Sequence, residues 1–311
     1  MPLLPRSWTT MGVLDGRTAL VTGAGRGIGA AVAEGLAAEG ATVLVSDAGV
    51  SVDGTGHDSG PAESIAAAIT AGGGKAFADS TDITDFSACG ELIDRAAETL
   101  GGLDVVVNAA GILRDGMVFK MSESDWDAVI SVHLKGTFNI TRHAAAWWRE
   151  NRGGQYRLIN FSSMSGLQGA PSQPNYAAAK MGIVGLTFSC ANALRSYGVR
   201  SNAIAPIAGT RMTQGIKGGG SMDYSESNVR LSPKNCVPPV VYLASTRSDW
   251  LNRRVIFAGN GRISLMSNPV VEREIVSATG VWDIPTAFAE IETSFKEAVL
   301  YPNIFDKPPA S

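Results

Sequence analysis

A tyrosine and a lysine four residues apart are the side chains of this chain best placed to transfer a proton. They are Tyr176 and Lys180 in the run NYAAAKMG, and Ser163 lies thirteen residues before the tyrosine. In a helix, positions i and i+4 lie on the same face, so the phenol and the ammonium would point the same way. A nearby cation favours the phenolate and lowers the tyrosine pKa, which makes Tyr176 a candidate general acid/base.

The electrostatic effect required of this pair is large. Moving the pKa of Tyr176 from about 10 to about 7 requires about 4 kcal/mol of differential stabilisation. Tyrosine and lysine also occur at this spacing by chance in many helices. The pair therefore gains weight only from motifs elsewhere in the chain.

Composition indicates an ordinary globular protein. The chain has 311 residues, a hydrophobic content of 45%, a charged content of 18% and a net charge of −3. It has no excess of basic residues that would indicate nucleic-acid binding, and no run of about 18 to 20 apolar residues that would indicate a membrane span. Residues 1–12, with two prolines, are predicted to be a flexible extension and not a signal peptide. The three cysteines lack metal-ligand spacing, so we expect buried free thiols, no metal site and a cytoplasmic location.

Short apolar strands alternate with helices along residues 13–260. Strands are predicted at TALVT, TVLVSD, KAFAD, LDVVVN, RLINFSS, VRSNAIA and Arg254–Ala258. A long fourth helix is predicted from Ser122, which Asp125 would help to cap, to about Glu150. This alternation is typical of α/β proteins with a doubly wound parallel sheet, here of about seven strands, covered by helices on both faces. We expect residues 261–311 to be a C-terminal extension that packs on the same domain or on a partner subunit.

The segment TGAGRGIG lies between the first strand and the first helix, as a phosphate-binding loop requires. Gly23 and Gly27 would let the backbone approach a pyrophosphate, and Gly29 would permit close helix–strand contact. Amide groups at the start of the helix favour such an anion. We therefore predict a dinucleotide site that includes Arg26 and Ile28, with a plain glycine-rich turn as the alternative.

A carboxylate at the end of the second strand predicts which dinucleotide binds. Asp47 lies twenty residues beyond Gly27, where it could accept hydrogen bonds from both adenosine ribose hydroxyls. Because it would repel a 2′-phosphate, NAD is predicted over NADP. Arg26 argues mildly the other way, since a basic residue in the loop could contact that phosphate.

Polar and small residues also follow the third and fourth strands, at the edge where ligands of such sheets bind. Asp82, beside Ile83, could accept a hydrogen bond from the adenine amino group, or could cap the next helix. Asn108, Ala109 and Gly111 belong to the segment NAAG and would let a nucleotide lie flat. A tight turn is the alternative explanation of that segment.

In this order, TGAGRGIG, NAAG, Ser163 and YAAAK resemble the motifs of the short-chain dehydrogenase/reductase family over about residues 13–260. The resemblance implies a Rossmann-type domain that transfers a hydride between a nicotinamide cofactor and a secondary alcohol or ketone. It implies that Tyr176 donates and accepts the proton, that Lys180 binds the nicotinamide ribose and lowers the tyrosine pKa, and that Ser163 holds the substrate oxygen. It also implies that Pro206 and Thr210 contact the nicotinamide carboxamide.

One position in the long fourth helix departs from the family pattern. The family commonly has an asparagine there, as part of a proton relay, whereas this chain has His133. A histidine that only packs the helix is the alternative to a catalytic one.

Four segments resemble one branch of the family, in which a histidine is expected at that position. VHLKG, GILRDGM, APIAGTRMTQ and GNGRISL are similar to the (3R)-hydroxyacyl-CoA dehydrogenase portion of peroxisomal multifunctional enzyme type 2, also called 17β-hydroxysteroid dehydrogenase type 4, and its bacterial relatives. The resemblance implies a free-standing NAD-dependent dehydrogenase of (3R)-hydroxyacyl-CoA or hydroxysteroid substrates. An NADPH-dependent 3-oxoacyl-carrier-protein reductase and a non-catalytic nucleotide-sensing module are the alternatives.

Two further expectations concern a lid and an interface. The glycine- and serine-rich residues 214–228 are predicted to be a substrate lid, with a surface loop as the alternative. Trp147 and Trp148 are adjacent and are not expected to face the same core, and the fifth helix, which carries Tyr176, is apolar on more than one side. Helices of this kind need burial, so we predict a homodimer or homotetramer formed through the fourth and fifth helices.

Overall fold

The computed structural model describes residues 12–210 and 228–298. Backbone contacts divide the described chain into two units, with the boundary between Met266 and Ser267. Residues 1–11 of the predicted N-terminal extension and residues 214–227 of the predicted lid lie outside the described residues.

The first unit is built on one sheet, whose strands follow the order β3-β2-β1-β4-β5-β6-β7-β8. These strands are β1 (Thr18–Thr22), β2 (Thr42–Ser46), β3 (Lys75–Asp79), β4 (Val105–Asn108), β5 (Tyr156–Phe161), β6 (Val199–Pro206), β7 (Val255–Gly259) and β8 (Arg262–Leu265). The first seven are parallel to their neighbours, and β8 pairs with β7 in the antiparallel sense. The predicted doubly wound parallel sheet is confirmed.

The eighth strand comes from residues that were assigned to the C-terminal extension. Asn260 and Gly261 join β7 to β8, with φ angles of 52° and 70°. Positive φ at both central residues is typical of the type I′ turn, whose twist matches that of a hairpin. The Asn-Gly pair is thus a hairpin signal present in the sequence itself.

Helices fill the connections between the strands. They are α1 (Gly27–Ala38), α2 (Gly60–Ala71), α3 (Phe86–Leu100), α4 (Glu123–Ile130), α5 (Gly136–Glu150), α6 (Met164–Gln168), α7 (Pro174–Ala193) and α8 (Val237–Ala244). A π-helical turn, Ser131–Lys135, joins α4 to α5, so the predicted long fourth helix is continuous, and α7 is the predicted fifth helix. The Ser122 side chain accepts a hydrogen bond from the Asp125 amide at 3.1 Å, as predicted for the start of the long helix.

Alternate residues of the parallel strands pack against two different layers of helices. Ala19 and Val21 of β1 pack with residues of α1, α2 and α8, whereas Leu20 packs with residues of α3 and α5. All five residues of β1 are buried, as expected for a parallel strand that is covered on both faces. Because the strands are parallel, the carboxyl ends of β1, β2, β4, β5 and β6 lie at one edge of the sheet.

The two adjacent tryptophans share a core, contrary to expectation. Trp148 is fully buried, and its Nε1 donates a hydrogen bond to the Leu103 carbonyl at 2.8 Å. Trp147 is half-buried against the same cluster. The ring of Tyr156 contacts Trp147 edge-on and stacks with Trp148. The expectation was wrong because one large aromatic ring on β5 packs against both indoles.

In the second unit, the described residues 267–298 contain the helix α9 (Ile284–Ala298). The Asp283 carboxylate accepts a hydrogen bond from the Thr286 amide at 3.0 Å, which satisfies one of the free N–H groups at the start of a helix. Across both units, no described helix combines the length and apolar character that crossing a bilayer requires.

Candidate active site

Tyr176, Lys180 and Ser163 meet at the carboxyl end of β5. Tyr176 and Lys180 lie one turn apart on α7, and the lysine Nζ is 5.5 Å from the centre of the tyrosine ring. The Lys180 ammonium donates a hydrogen bond to the carbonyl of Phe161, the last residue of β5, at 2.7 Å. The Ser163 side chain is hydrogen bonded with that of Tyr176. The structure thus brings together three of the predicted catalytic residues.

Local hydrogen bonds explain how the chain after β5 holds this arrangement. Ser163 caps α6, since its hydroxyl accepts a hydrogen bond from the Ser165 amide at 3.1 Å. The hydroxyl of Ser162 donates to the Lys180 carbonyl at 2.9 Å. Gly166 of α6 lies so close to α7 that a β-carbon there would be 2.7 Å from the Lys180 Cβ. The helix that carries the tyrosine is therefore fixed against the end of β5.

Burial dominates the electrostatics of the Tyr176–Lys180 pair. It raises the pKa of Tyr176 to about 12, while the hydrogen bond with Ser163 lowers that pKa and the charge of Asp115 raises it further. Burial also lowers the pKa of Lys180 to about 7. The Tyr176 side chain is only half-buried, so water limits the shift of its pKa. In the protein alone, burial of the phenol therefore opposes the lowering of the Tyr176 pKa that is expected from Lys180.

His133 lies in the π-helical turn between α4 and α5, next to the tyrosine. Its ring is 1% exposed and meets the Tyr176 ring edge-on, with 5.0 Å between their centres. Its Nε2 lies 3.0 Å from the amide nitrogen and 2.8 Å from the carbonyl oxygen of Ile112. Burial and the neighbouring Lys180 keep the pKa of His133 well below its usual value, so the ring is neutral. This geometry favours a residue that positions the loop after β4 over one that exchanges the proton.

The loop after β4 fits this histidine because residue 111 is a glycine. A β-carbon on Gly111 would overlap the Cε1 atom of His133 and lie 3.0 Å from both ring nitrogens. Any side chain at position 111 would displace the ring from Ile112 or from Tyr176. Gly111 was predicted for contact with a nucleotide, and the structure gives it a packing role as well.

The glycine loop after β1 has the shape expected of a phosphate-binding turn. Gly23 has a φ of 66°, and a β-carbon there would overlap the backbone of Ala110. A β-carbon on Gly29 would overlap the Gly23 carbonyl. Thr210 lies beside this loop, since its methyl group is 3.4 Å from the position of a β-carbon on Gly27. The structure therefore brings Thr210 to the predicted nucleotide path.

Asp47 is bound to the same loop. One carboxylate oxygen accepts a hydrogen bond from the Gly25 amide and the other from the Gly49 amide, both at 2.7 Å. The Arg26 side chain is directed to the chain that follows Asp47, with 3.4 Å between its guanidinium and the Val50 carbonyl. A fixed carboxylate, small residues at the turn and the start of α1 together fit an adenosine ribose and a pyrophosphate.

The other predicted nucleotide residues lie at the same edge with different local roles. Asp82 is exposed and accepts a hydrogen bond from the Thr84 amide at 2.9 Å, while Asp85 is the residue that caps α3. Ile83 is buried, and its carbonyl accepts a hydrogen bond from the Asn139 side chain at 2.8 Å. The suggestion that Asp82 caps the helix is therefore wrong, because Asp85 occupies that position.

Buried neighbours hold the strand ends at this edge. The Asn108 side chain donates to Asn160 of β5 at 2.9 Å, and its Oδ1 has no partner among the described residues. Ala109 donates its amide to the Thr22 carbonyl at 3.2 Å. Two further predicted residues take part in the fold here: Ile28 packs on the core, and Pro206 is the last residue of β6.

Sequence reasoning missed three residues that surround the tyrosine. Asn175 is fully buried beside Tyr176, and its Oδ1 accepts a hydrogen bond from the Tyr176 amide at 2.8 Å. Asp115 accepts hydrogen bonds from the buried Gln173 at 3.2 Å, and Arg114 precedes it in the chain. Asn175 and the Arg114–Asp115 pair lie within the motifs NYAAAKMG and GILRDGM. An amide in the first turn of a helix and an acid in the loop that follows a parallel strand were the available signals.

Comparisons with known proteins agree with this arrangement. A family profile described as short chain dehydrogenase matches residues 17–218. Hydroxyacyl-CoA dehydrogenase ChsB1 of Mycobacterium tuberculosis is 44% identical over 285 residues, which cover 90% of this chain and 88% of that protein. Peroxisomal multifunctional enzyme type 2 of Mus musculus is 44% identical over 229 residues, which cover 74% of this chain and 30% of that protein. A short chain dehydrogenase structure from Mycobacterium avium matches with a TM-score of 0.80 and 40% identity, and the match covers 96% of this chain and 98% of that chain.

The contact between Gly111 and His133 predicts a specific coupling. We expect Gly111→Ala to lower the free energy of unfolding by about 1–3 kcal/mol, because the added methyl group must displace the buried ring. In the background of His133→Ala, which removes the ring, the same substitution should cost much less. Urea unfolding of the four proteins of this double-mutant cycle measures the coupling. Equal costs in both backgrounds would show that the two residues do not touch.

Proposed function

The chain belongs to the short-chain dehydrogenase family, and on that premise we propose that it is a cytoplasmic, NAD-dependent dehydrogenase of (3R)-hydroxyacyl-CoA or hydroxysteroid substrates. The resemblance seen in the motifs is confirmed, and the chain is an oxidoreductase that acts on CH–OH donors. The observation that carries the proposal is the meeting of Tyr176, Lys180 and Ser163 at the sheet edge that also holds the glycine loop. The identity to a hydroxyacyl-CoA dehydrogenase supports the substrate class.

The protein's own contribution to the reaction is to bind, orient and move one proton. A bound nicotinamide supplies the hydride chemistry. The Tyr176 phenolate takes the proton of the substrate alcohol during oxidation, and the resulting hydroxyl returns it during reduction. Ser163 donates a hydrogen bond to the substrate oxygen as it becomes a carbonyl, and Lys180 would hold the nicotinamide ribose. In this proposal His133 stays neutral and fixes the loop after β4, since the pKa of its ring lies well below the usual value.

The tyrosine can act as a base near neutral pH only if its pKa falls on binding. Burial raises the pKa of Tyr176 to about 12 in the protein alone. The positive charge of an oxidised nicotinamide ring, once bound, would add to that of Lys180 and favour the phenolate.

The choice of NAD over NADP rests on Asp47. Its carboxylate is fixed by the amides of Gly25 and Gly49, so the negative charge cannot easily turn away from an incoming 2′-phosphate. Like charges held close together repel strongly, so this carboxylate would select against NADP more than it would strengthen the binding of NAD. Arg26 is directed to Val50 and does not neutralise this carboxylate.

We also propose that the enzyme is a homodimer or homotetramer formed through the long helix α4–α5 and through α7. Phe138 of α5 and Met181 of α7 are each 44% exposed, although both are large and apolar. Exposed apolar side chains on two long helices are typical of surfaces that bury each other across a symmetry axis.

Replacing the tyrosine tests the proton transfer. We expect Tyr176→Phe to lower kcat by about 100- to 10,000-fold, because a positioned general acid/base contributes that much. The dissociation constant of NADH, measured by fluorescence titration, should stay nearly unchanged. Tyr197→Phe is a matched control away from the site and should keep full activity. A Tyr176→Phe enzyme that retained more than about a tenth of the wild-type kcat would rule out this role for the tyrosine.

Removing the carboxylate of Asp47 tests the cofactor. We expect Asp47→Ala to reduce the preference for NADH over NADPH, in the reduction of acetoacetyl-CoA, by at least about tenfold. Asp82→Ala is the control, since Asp82 would contact the adenine and should weaken both cofactors equally. A wild-type enzyme that prefers NADPH would favour a 3-oxoacyl-carrier-protein reductase instead.

The pH dependence of oxidation tests the charge near the tyrosine. Oxidation requires the phenolate, so kcat/KM rises with pH through the effective pKa of Tyr176. Asp115 raises that pKa, and Asp115→Asn should therefore move the acidic limb of the profile to lower pH. Asp94→Asn, on the exposed side of α3, removes the same charge elsewhere and should leave the limb in place. A limb that moves upward or stays fixed in Asp115→Asn would contradict this electrostatic assignment.

A further inference from the structure

The chain that follows Asp47 crosses the edge of the sheet where the nucleotide is proposed to bind. We call residues 49–58 the strap. Val50 packs against the cluster that contains Ile112, on which the Tyr176 ring also packs. The Val52 carbonyl accepts a hydrogen bond from the Leu113 amide at 2.9 Å. The strap therefore runs from the end of β2 to the loop after β4, and β1, with its glycine loop, lies between those two strands.

The tip of the strap is a closed turn. The Ser51 amide donates to the Thr55 carbonyl at 2.8 Å. The Asp53 carboxylate accepts hydrogen bonds from the Ser51 hydroxyl at 2.7 Å and from the Thr55 amide at 3.1 Å. Gly54 has a φ of 89°, and a β-carbon there would lie 2.9 Å from the Ile112 side chain. The turn is thus formed by its own side chains and fits closely against the loop after β4.

The side chain of Arg114 fastens this tip. Its Nε donates a hydrogen bond to the Asp53 carbonyl at 2.8 Å. A terminal nitrogen of the same guanidinium lies 3.4 Å from the Ser124 carbonyl and 3.6 Å from the Asp125 carboxylate, both at the start of the long helix. These acceptors lie on two different segments, and two different nitrogens of the planar guanidinium meet them, whereas a lysine would offer a single nitrogen.

The main chain of Arg114 is anchored to the helix that carries the tyrosine. The Asn175 side chain donates hydrogen bonds to the Arg114 carbonyl at 3.0 Å and to the Asp125 carbonyl at 3.1 Å. Its Oδ1 accepts from the Tyr176 amide at 2.8 Å, so the fully buried Asn175 ties three segments together. The strap is therefore fastened to the same frame that positions the proposed catalytic tyrosine.

We propose that Arg114 is a positioning residue that holds the strap closed beside a bound dinucleotide and so slows the release of that dinucleotide. This proposal rests on the proposed function, because it takes NAD to be the ligand of the glycine loop. Arg114 acts through the strap, by its side chain, and leaves the proton-transfer residues in place. Loss of the Arg114 side chain should therefore change the rate of cofactor release more than the rate of the chemical step.

Hydrogen exchange and cofactor release test this assignment. In Arg114→Ala without cofactor, we expect the Leu113 and Thr55 amides to exchange at least about tenfold faster, because a charged hydrogen bond that holds the strap is lost. NADH release, followed by stopped-flow fluorescence, should accelerate by a similar factor, and the KM for NAD should rise. The kcat at saturating NAD should stay within about threefold of wild type, since the main-chain bond to Asn175 is kept. Arg114→Lys should resemble Arg114→Ala.

Two further variants make the result decisive. Asp53→Ala opens the exposed turn of the strap and leaves Arg114 intact, so it should also speed exchange and NADH release, even if Arg114→Ala does not fold. Arg152→Ala removes an exposed arginine elsewhere and should change neither. Wild-type exchange or wild-type NADH release in both strap variants would overturn the proposal. A protein that binds NADH with these strap effects but oxidises none of the proposed substrates would refute the proposed function and leave the role of Arg114 standing.

Discussion

A buried ammonium held by one backbone carbonyl is the constraint on which the site depends. Lys180 is 4% exposed, and its Nζ donates to the Phe161 carbonyl at 2.7 Å with the Tyr176 ring nearby. Burying a cation in this way is costly, which is why burial lowers the lysine pKa to about 7. The buried ammonium lies where α7 packs against the end of β5, and its hydrogen bond joins the two elements. Tyr176 is oriented by the same helix, so the lysine fixes geometry as well as charge.

The surroundings of the tyrosine oppose its ionisation in the protein alone. Burial and the charge of Asp115 both raise the pKa of Tyr176, and only the hydrogen bond with Ser163 acts against them among the causes identified. In the proposed reaction, the positive charge of a bound oxidised nicotinamide would favour the phenolate and so oppose the effect of burial. His133 is neutral, because burial and the charge of Lys180 disfavour a second cation at this place.

Local patterns predicted most of the fold, together with the glycine loop and the Tyr176–Lys180 pair of the site. Seven parallel strands, the glycine loop and the capped long helix follow from short-range signals: apolar runs, positive-φ glycines and a serine at a helix start. The Tyr176–Lys180 spacing belongs to the same class, because helical periodicity alone puts both on one face. The pKa of Tyr176 could not be predicted in this way. It depends on burial and on Asp115, which is distant in sequence and is brought close by the loop after β4.

Contacts between segments that are distant in the chain could not be predicted from the sequence. The shared packing of Trp147 and Trp148 requires the ring of Tyr156 from the next strand, and helical geometry alone argues against it. The strap is the clearest case. Its composition, rich in glycine and aspartate, is that of many disordered loops, so composition alone does not distinguish an ordered loop from a disordered one. The same residues close an ordered turn here because their side chains bond to nearby backbone, and because Arg114, more than fifty residues away in the chain, supplies a donor at the tip. The order of the strap therefore depends on a contact between distant segments, because Arg114 lies in the loop after β4 while the strap follows β2, with β1 between those two strands.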